Sequence, residues 1–397
     1  LPQSPQLFKQ ILMVAGAQKY YQIARCFRDE DLRADRQPEY TQVDIEMSFV
    51  EEGDILELVE GLIKEMFAAA EIEIKAPFVK MSHHDALKQY GSDKPDIRFD
   101  LRIHDLTDIF KNTEFKVFGG TIAKGGIIRA LRLSPKEEFT RRDLDDLTQS
   151  AISLGAKGLA WFAVEDKDKV RSPIAKFLDD GEISQMIKAV GAEPGDFIFA
   201  VADTSKVVPR VLGALRLELA KRLDLADPKS FNFLWVTDFP LFQFNEEEKR
   251  LDSEHHPFTM PKDDSMALLD TDPLKAVGQA FDLVLNGVEL GSGTIRIHQR
   301  PFQEKILKMI GLEADEMEEK FGFLLEALEY GAPPHGGFAL GLDRLAMLIM
   351  GRASIRDVIT FPKTQSATCL MTGAPDTVAD KQLRELGIKV SRQKTEE

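Results

Sequence analysis

The segment at residues 25–46 constrains the fold more than any other part of the chain. Arginines and carboxylates alternate along its first half, RCFRDEDLRADRQ, and Pro38 follows directly. A solvated charged helix would tolerate this alternation, but the proline and the β-branched residues between Thr41 and Ile45 oppose a helix. We therefore predict two strands joined by a charged loop. Arginines on such a loop are suited to gripping phosphates and carboxylates, because the guanidinium group is planar and permanently charged.

A second segment that predicts its own local structure is FDLVLNGVEL at residues 281–290, where Asn286-Gly287 predicts a two-residue hairpin turn. In that register Val284 pairs with Glu289, so Asp282 and Glu289 share the face opposite the apolar one. From the hairpin alone, a solvent-facing pair of acids is the commoner outcome. The alternative is a divalent cation that relieves the repulsion between the two carboxylates.

The remaining segments indicate a mixed fold. Residues 7–15 and 53–70 have helical spacing of apolar side chains, and residues 20–27 form a predicted strand. Between about residues 96 and 228 we predict a separate α+β module, with β segments at 115–133 and helices at 140–154 and 205–223. This module carries no chemical motif. Another helix is predicted at 377–386.

Composition narrows the class of protein. The 397 residues carry a formal net charge of −15, which argues against a general nucleic-acid-coating surface but allows a local contact with an RNA end. No apolar run has membrane-spanning length. The two cysteines form neither a disulfide framework nor a metal-ligand spacing, so a reducing cytoplasm is expected. The chain opens at Leu1 without methionine, and we expect it to be a fragment.

The charged segment and the later GFALGLDR at residues 337–344 resemble motifs 2 and 3 of class II aminoacyl-tRNA synthetases. The residues of both segments are most similar to those of the bacterial aspartyl enzymes. The resemblance implies an α+β fold, in which an antiparallel-sheet catalytic domain is flanked by helices and split by an inserted α+β domain. The implied divisions are residues 1–95, 96–230, 231–375 and a C-terminal extension at 376–397. The anticodon-binding OB-fold and motif 1 are absent from this chain.

The same resemblance assigns roles to individual residues. The catalytic residues would be Arg28 and Arg344. Substrate aspartate would contact Ser4, Gln6, Lys9, Arg28, Asp44, His255 and Arg296. ATP would contact Arg28, Asp29, Glu30, Gln37, Tyr40, Glu289, Gly341, Leu342, Asp343 and Arg344. Mg²⁺ would be held by Asp282 and Glu289, and the tRNA end would meet Glu30 and Arg33.

Without the resemblance, Lys9 would be interpreted as an exposed helix lysine and Arg296 as a surface residue of an alternating strand. The pair His83-His84 has no match and is expected at the surface. The segment GSDKP at residues 91–95 matches the family, but no mechanism is assigned to it.

The implied function is an aspartate–tRNA ligase, which adenylates L-aspartate with ATP and Mg²⁺ and esterifies the 3′ end of tRNA(Asp). Whether tRNA(Asn) is also charged stays open. A cytoplasmic homodimer is expected, with no membrane partner. Two alternatives are an ammonia-dependent asparagine synthetase on the same fold and a non-catalytic paralogue acting as a binding module. The first would lack the insertion, and the second would be expected to lose Arg28, Glu289 or Arg344.

Overall fold

A computed structural model describes residues 3–29, 34–134 and 139–391 of the chain. The helices in these ranges are α1 Gln6–Val14, α2 Glu52–Ala69, α3 His83–Tyr90, α4 Lys116–Ile122, α5 Arg141–Ser153, α6 Asp180–Val190, α7 Val207–Arg222, α8 Arg300–Met309, α9 Ala314–Glu329, α10 Leu342–Ile349 and α11 Asp380–Glu385. The strands are β1 Lys19–Phe27, β2 Glu39–Ser48, β3 Val79–Ser82, β4 Ile103–Asp105, β5 Ile127–Leu133, β6 Ala160–Asp166, β7 Lys169–Arg171, β8 Phe197–Asp203, β9 Phe233–Thr237, β10 Phe242–Asn245, β11 Arg250–Ser253, β12 Ala280–Leu285, β13 Val288–Ile295 and β14 His335–Gly341.

The larger sheet has seven strands in the order β1-β2-β14-β13-β12-β9-β3. Its neighbours pair antiparallel except β3 and β9, which are parallel. The apolar stripe of α2 covers one face of this sheet, where Ile55, Val59 and Ile63 pack with Trp235 and Phe338. The predicted fold class, an antiparallel sheet flanked by helices, is therefore confirmed.

The charged segment forms the predicted strand pair. Strands β1 and β2 run antiparallel from Phe27 opposite Glu39 to Lys19 opposite Met47, and the charged loop joins them. Pro38 accepts a hydrogen bond from the Arg28 amide at 2.8 Å, which closes the base of the loop.

The predicted hairpin is also present. Asn286 and Gly287 have φ of 52° and 84°, and the flanking pairs are Leu285 with Val288 and Val284 with Glu289. A bulge then shifts the register, so that Leu283 lies opposite Gly291. The sequence did not predict this bulge, which needs one extra residue in β13.

The two faces of this hairpin differ from the expectation in one respect. Phe281, Leu283 and Leu285 lie in the core beneath α2, as predicted. The opposite face is only partly open, because Val284 is buried in a second apolar cluster with Phe239.

A second sheet of five strands has the order β4-β5-β8-β6-β7 and is antiparallel throughout. One prediction here is wrong in part. The β segment expected at residues 115–133 begins with a helix, α4, before β5. The helix forms because Phe118 is buried against Phe110, a tertiary contact that overrides the local glycines. The exact domain boundaries stay predictions.

Within the described residues, no helix is long and apolar enough to cross a membrane.

Candidate active site

A cavity of about 1050 Å³ opens over the larger sheet, on the side away from α2. Strands β2, β12, β13 and β14 supply its floor, and α1 and the loop at residues 254–258 supply its walls. Of the residues predicted to bind substrate, nucleotide or metal, it is lined by Ser4, Gln6, Lys9, Arg28, Gln37, Tyr40, Asp44, His255, Asp282, Glu289, Arg296, Gly341, Asp343 and Arg344.

Asp29 and Leu342 do not contribute to the lining of this cavity. Glu30 and Arg33 fall outside the described residues.

Four buried charged groups meet at one end of the cavity. Lys9 is 1% exposed, and its Nζ lies 3.1 Å from Asp44 Oδ1 and 3.4 Å from Glu46 Oε2. Asp44 and Glu46 are brought together because residues two apart on a strand share a face. Lys9 is therefore not an exposed helix lysine: α1 packs across β2, so that this side chain points into the sheet's charged floor.

Arg296 completes this group. Its Nε and Nη2 donate to the two oxygens of Glu46 at 2.9 and 3.0 Å, and its Nη1 donates to His256 Nε2 at 2.8 Å and to Thr294. Arg296 is 2% exposed, so it is not the surface residue that an alternating strand suggests. Burial acts to raise the pKa of Glu46, but the charges of Arg296 and Lys9 outweigh it and hold that pKa below its usual value.

The Glu46–Arg296 pair fits only because glycine stands at position 337. A Cβ on Gly337 would lie 2.0 Å from Glu46 Oε2 and 2.2 Å from the Ile45 carbonyl oxygen. The motif 3 glycine therefore makes room for a charged side chain of motif 2.

Asp44 has one oxygen left for a ligand. Its Oδ2 is buried and accepts no hydrogen bond from any described residue, while Asp44 itself lines the cavity. A buried carboxylate oxygen without a hydrogen-bond donor favours a cationic ligand group such as an ammonium.

An acidic pair lies further along the cavity. Asp282 Oδ1 is 3.0 Å from His255 Nε2. Burial lowers the pKa of His255, but Asp282 and the nearby Glu254 and Glu289 outweigh it and raise that pKa above its usual value. Burial and the charge of Asp282 raise the pKa of Glu289, although Arg344 opposes them.

The acidic pair offers two carboxylate groups as ligands for a divalent cation. Within the part of the chain that the structure describes, no group of three or more His, Cys, Asp or Glu side chains is placed to hold a metal ion. Mg²⁺ is usually bound through one or two carboxylates together with substrate phosphates. The buried Asp282 and the half-buried Glu289 both line this cavity and repel each other.

Arginines from both motifs flank the acidic pair. Arg28 lies at the end of β1, with its guanidinium carbon 5.6 Å from the centre of the Tyr40 ring. Arg344 is positioned by α10, and its Nη1 donates to the Glu289 carbonyl oxygen at 2.5 Å. Asp343 accepts from the Thr41 amide at 2.7 Å, which ties α10 to β2. Arg28 and Arg344 therefore line the same cavity as the acidic pair.

The predicted nucleotide contact Gln37 has its amide engaged within the protein. Its Oε1 accepts from the Lys363 amide at 2.7 Å, and its Nε2 donates to the Lys363 carbonyl oxygen at 3.3 Å. This side chain anchors the segment after α10 beside the cavity.

Two residues at the site were missed by sequence reasoning. Glu46 had a detectable signal, since it follows Asp44 by two positions on a strand. His256, which lies against Arg296, had no local signal. His84 is exposed as expected, but the ring of His83 lies 4.8 Å from that of Phe239, because α3 packs beside β9.

The chain is similar in sequence to known proteins. Residues 1–365 match the family model described as tRNA synthetases class II (D, K and N). The Asp/Asn-type aspartate–tRNA ligase of Syntrophomonas wolfei is 54% identical over 98% of this chain and 67% of its own length. The corresponding ligase of Desulfotalea psychrophila is also 54% identical, over 98% of this chain and 64% of its own. The chain thus spans about two thirds of the length of these curated relatives.

A solved aspartyl tRNA synthetase from Entamoeba histolytica aligns with 91% of this chain and 51% of its own, at 18% identity and a TM-score of 0.45. The family model and the relatives suffice: the chain belongs to the class II tRNA synthetases of the D, K and N group, and within it to the bacterial aspartate–tRNA ligase family.

Proposed function

We propose that this chain is the catalytic part of an aspartate–tRNA ligase. It joins L-aspartate to ATP as aspartyl-adenylate and then transfers the aspartyl group to the 3′ end of tRNA(Asp). The observation that carries the proposal is the buried group of Lys9, Asp44, Glu46 and Arg296 at one end of a cavity, with Arg28 and Arg344 further along it.

The buried charges suit a small dicarboxylic amino acid. Lys9 and Arg296 offer positive charge to the side-chain carboxylate, and Asp44 Oδ2 accepts from the ammonium group. Glu46 holds the guanidinium of Arg296 by its Nε and Nη2, so the arginine keeps its position when the pocket is empty. Asparagine would bring an amide N–H toward two cations, a mismatch that is costly in a desolvated pocket.

The other end of the cavity suits ATP. Tyr40 offers a face for adenine, and Arg28 is placed to stabilise the charge that grows on the α-phosphate. Arg344 binds the distal phosphates. Asp282 and Glu289 would hold Mg²⁺, which would supply positive charge to neutralise the phosphates.

The first step needs no general base. The α-carboxylate of aspartate is already an anionic nucleophile, so one of its oxygens attacks the α-phosphorus and pyrophosphate leaves. The protein lowers the barrier by holding both substrates in register and by placing cations where charge develops.

The remaining parts of the proposal concern the whole protein. Relatives carry the name Asp/Asn ligase, and we propose that tRNA(Asn) is a second substrate. We also propose a homodimer in the cytoplasm, with Glu30 and Arg33 near the tRNA end. Sedimentation of the full-length protein would give a dimer, whereas a monomer at micromolar concentration that still charges tRNA would refute this.

Aspartate-dependent exchange of pyrophosphate into ATP tests the proposal. The full-length protein should catalyse it only with Mg²⁺, and Glu289→Ala should abolish it without unfolding the protein. Glu319→Ala, which removes an exposed carboxylate on α9, is the control and should leave the rate unchanged. Full exchange in Glu289→Ala would remove the acidic pair from the mechanism. The tRNA step is tested by charging purified tRNA(Asp) and tRNA(Asn).

A further inference from the structure

Three polar side chains form a line that runs from the cavity into the interior of the protein. Gln6 lines the cavity, whereas Gln10 and His335 lie behind it and are 1% and 0% exposed. Gln6 Nε2 is 3.1 Å from Gln10 Oε1, and Gln10 Nε2 is 3.3 Å from His335 Nε2. The other ring nitrogen of His335, Nδ1, is 2.8 Å from the Pro333 carbonyl oxygen.

The direction of this line is determined at its inner end. A backbone carbonyl can only accept, so the proton of His335 resides on Nδ1. Burial lowers the pKa of His335, which keeps the ring neutral. A neutral ring with its proton on Nδ1 has an acceptor at Nε2.

Each amide must then take one orientation. Gln10 turns its NH₂ group toward the His335 acceptor, which leaves its oxygen facing Gln6. Gln6 donates its own NH₂ group to that oxygen. One N–H of Gln6 is thereby turned toward Gln10, and the Gln6 oxygen lies on the other side of the amide, where it is the acceptor that a ligand in the cavity can use.

We propose that Gln10 and His335 are positioning residues that hold the Gln6 amide with its oxygen toward the cavity, as an acceptor for the ammonium group of the amino-acid substrate. This inference rests on the proposed function, in which Asp44 receives the same ammonium group. A reversed Gln6 amide would point N–H groups at a cation and repel it. A hydroxyl in place of the ammonium both donates and accepts, so it tolerates either orientation.

The test uses this difference between ammonium and hydroxyl. In the full-length protein, Gln10→Leu and His335→Leu break the line at its middle and at its inner end. Pyrophosphate exchange gives the KM for aspartate, the KM for ATP and the inhibition constant of L-malate, which carries a hydroxyl in place of the ammonium. Melting temperatures are measured alongside.

Both leucine variants should raise the KM for aspartate about tenfold, the scale of one hydrogen bond to a charged group. The inhibition constant of malate and the KM for ATP should change less than about twofold, well below one such bond. Gln89→Leu, on α3, is the control and should change none of these.

Two results would overturn the inference. One is an unchanged KM for aspartate in both leucine variants. The other is an equal loss for aspartate and malate, which would indicate a general packing role. Absence of aspartate-dependent exchange in the unmodified protein would instead overturn the proposed function, and this inference with it.

Discussion

Arg296 has a permanent charge almost completely removed from water, and three neighbours keep it there. Glu46 takes the Nε and Nη2 side of the guanidinium, and His256 and Thr294 take Nη1. Removing these charges from water costs much free energy, which their attraction to each other offsets. Loss of one member therefore leaves its partners as uncompensated buried charges. The charged floor is therefore sensitive to single substitutions.

Arg296→Leu should raise the KM for aspartate at least about a hundredfold, since breaking a buried charged pair costs roughly 3–5 kcal/mol. The KM for ATP should barely change. Lys9→Met should act in the same direction but more mildly, because an ammonium is a point charge without a planar fork. Arg300→Leu, which breaks only surface ion pairs with Glu304 and Glu329, is the control. Unchanged aspartate kinetics with weaker ATP binding would move Arg296 to the phosphate site.

Glu46 makes the stability of the protein depend on pH in a defined direction. Its folded pKa lies below the usual value, so its contribution is present above the unfolded pKa of about 4.3 and is lost as the pH falls through the folded pKa. Glu46→Gln should lower the free energy of unfolding by about 3 kcal/mol at pH 7. Urea titrations should show this difference shrinking below about pH 4. A difference that is constant with pH would contradict the assignment.

At the scale of elements, the site depends on how closely β14 lies against β2. The two strands pair from His335 opposite Ser48 to Gly341 opposite Gln42, and Glu46 lies opposite Gly337. The Glu46 side chain occupies the space that a side chain at position 337 of β14 would fill. Because position 337 is glycine, the sheet has room for the charged pair of Glu46 and Arg296.

Gly337→Ala should therefore displace Glu46 and loosen Arg296. We expect a loss of about 1–3 kcal/mol in the free energy of unfolding from overpacking, together with weaker aspartate binding. Gly61→Ala is the matched control, because a Cβ there meets nothing within 4 Å on α2. That change should stabilise the helix by about 0.5–1 kcal/mol. Unchanged aspartate binding in Gly337→Ala would show that the floor tolerates a moved Glu46.

At the scale of the whole molecule, one buried arginine connects the part of the chain around the seven-stranded sheet with the part around the five-stranded sheet. Arg216 on α7 is 1% exposed and donates to the carbonyl oxygens of Asp96, Phe99 and Leu101 at 2.6 to 3.0 Å. Its guanidinium carbon lies 4.0 Å from the centre of the Phe99 ring. Burial lowers the pKa of Arg216 to about 10, so it stays charged at neutral pH. The chain that leads from α3 into β4 is thereby held against α7.

Arg216→Met should leave three buried carbonyl oxygens without this donor and lower the free energy of unfolding by roughly 3 kcal/mol or more. Calorimetry should then separate the unfolding of the five-stranded sheet from that of the larger sheet. Arg222→Met, on the same helix, breaks only surface pairs with Asp143 and Glu218 and should cost less than about 1 kcal/mol. A single unchanged transition in Arg216→Met would show that other contacts join the two parts.

Sequence reasoning succeeded where the signal was local. The turn at Asn286-Gly287 and the strands on either side of the charged loop were predicted, because turn chemistry and side-chain alternation act over a few residues. The β-bulge after Glu289 and the helix α4 were missed, since each depends on packing against strands or side chains elsewhere in the chain. His256 carries no local signal, because only the tertiary structure brings it to Arg296.

By itself, the sequence determined the family, the order of the strands around the charged loop and the residue types available for the site. Only the tertiary structure decided which of these residues meet. Arg296 and Glu46 are 250 positions apart, and Gln10 and His335 are 325 apart. No local pattern specifies such pairs. They follow from the pairing of β2 with β14 and from α1 lying across them, which buries the charged groups together and makes each depend on the others for its hydrogen bonds.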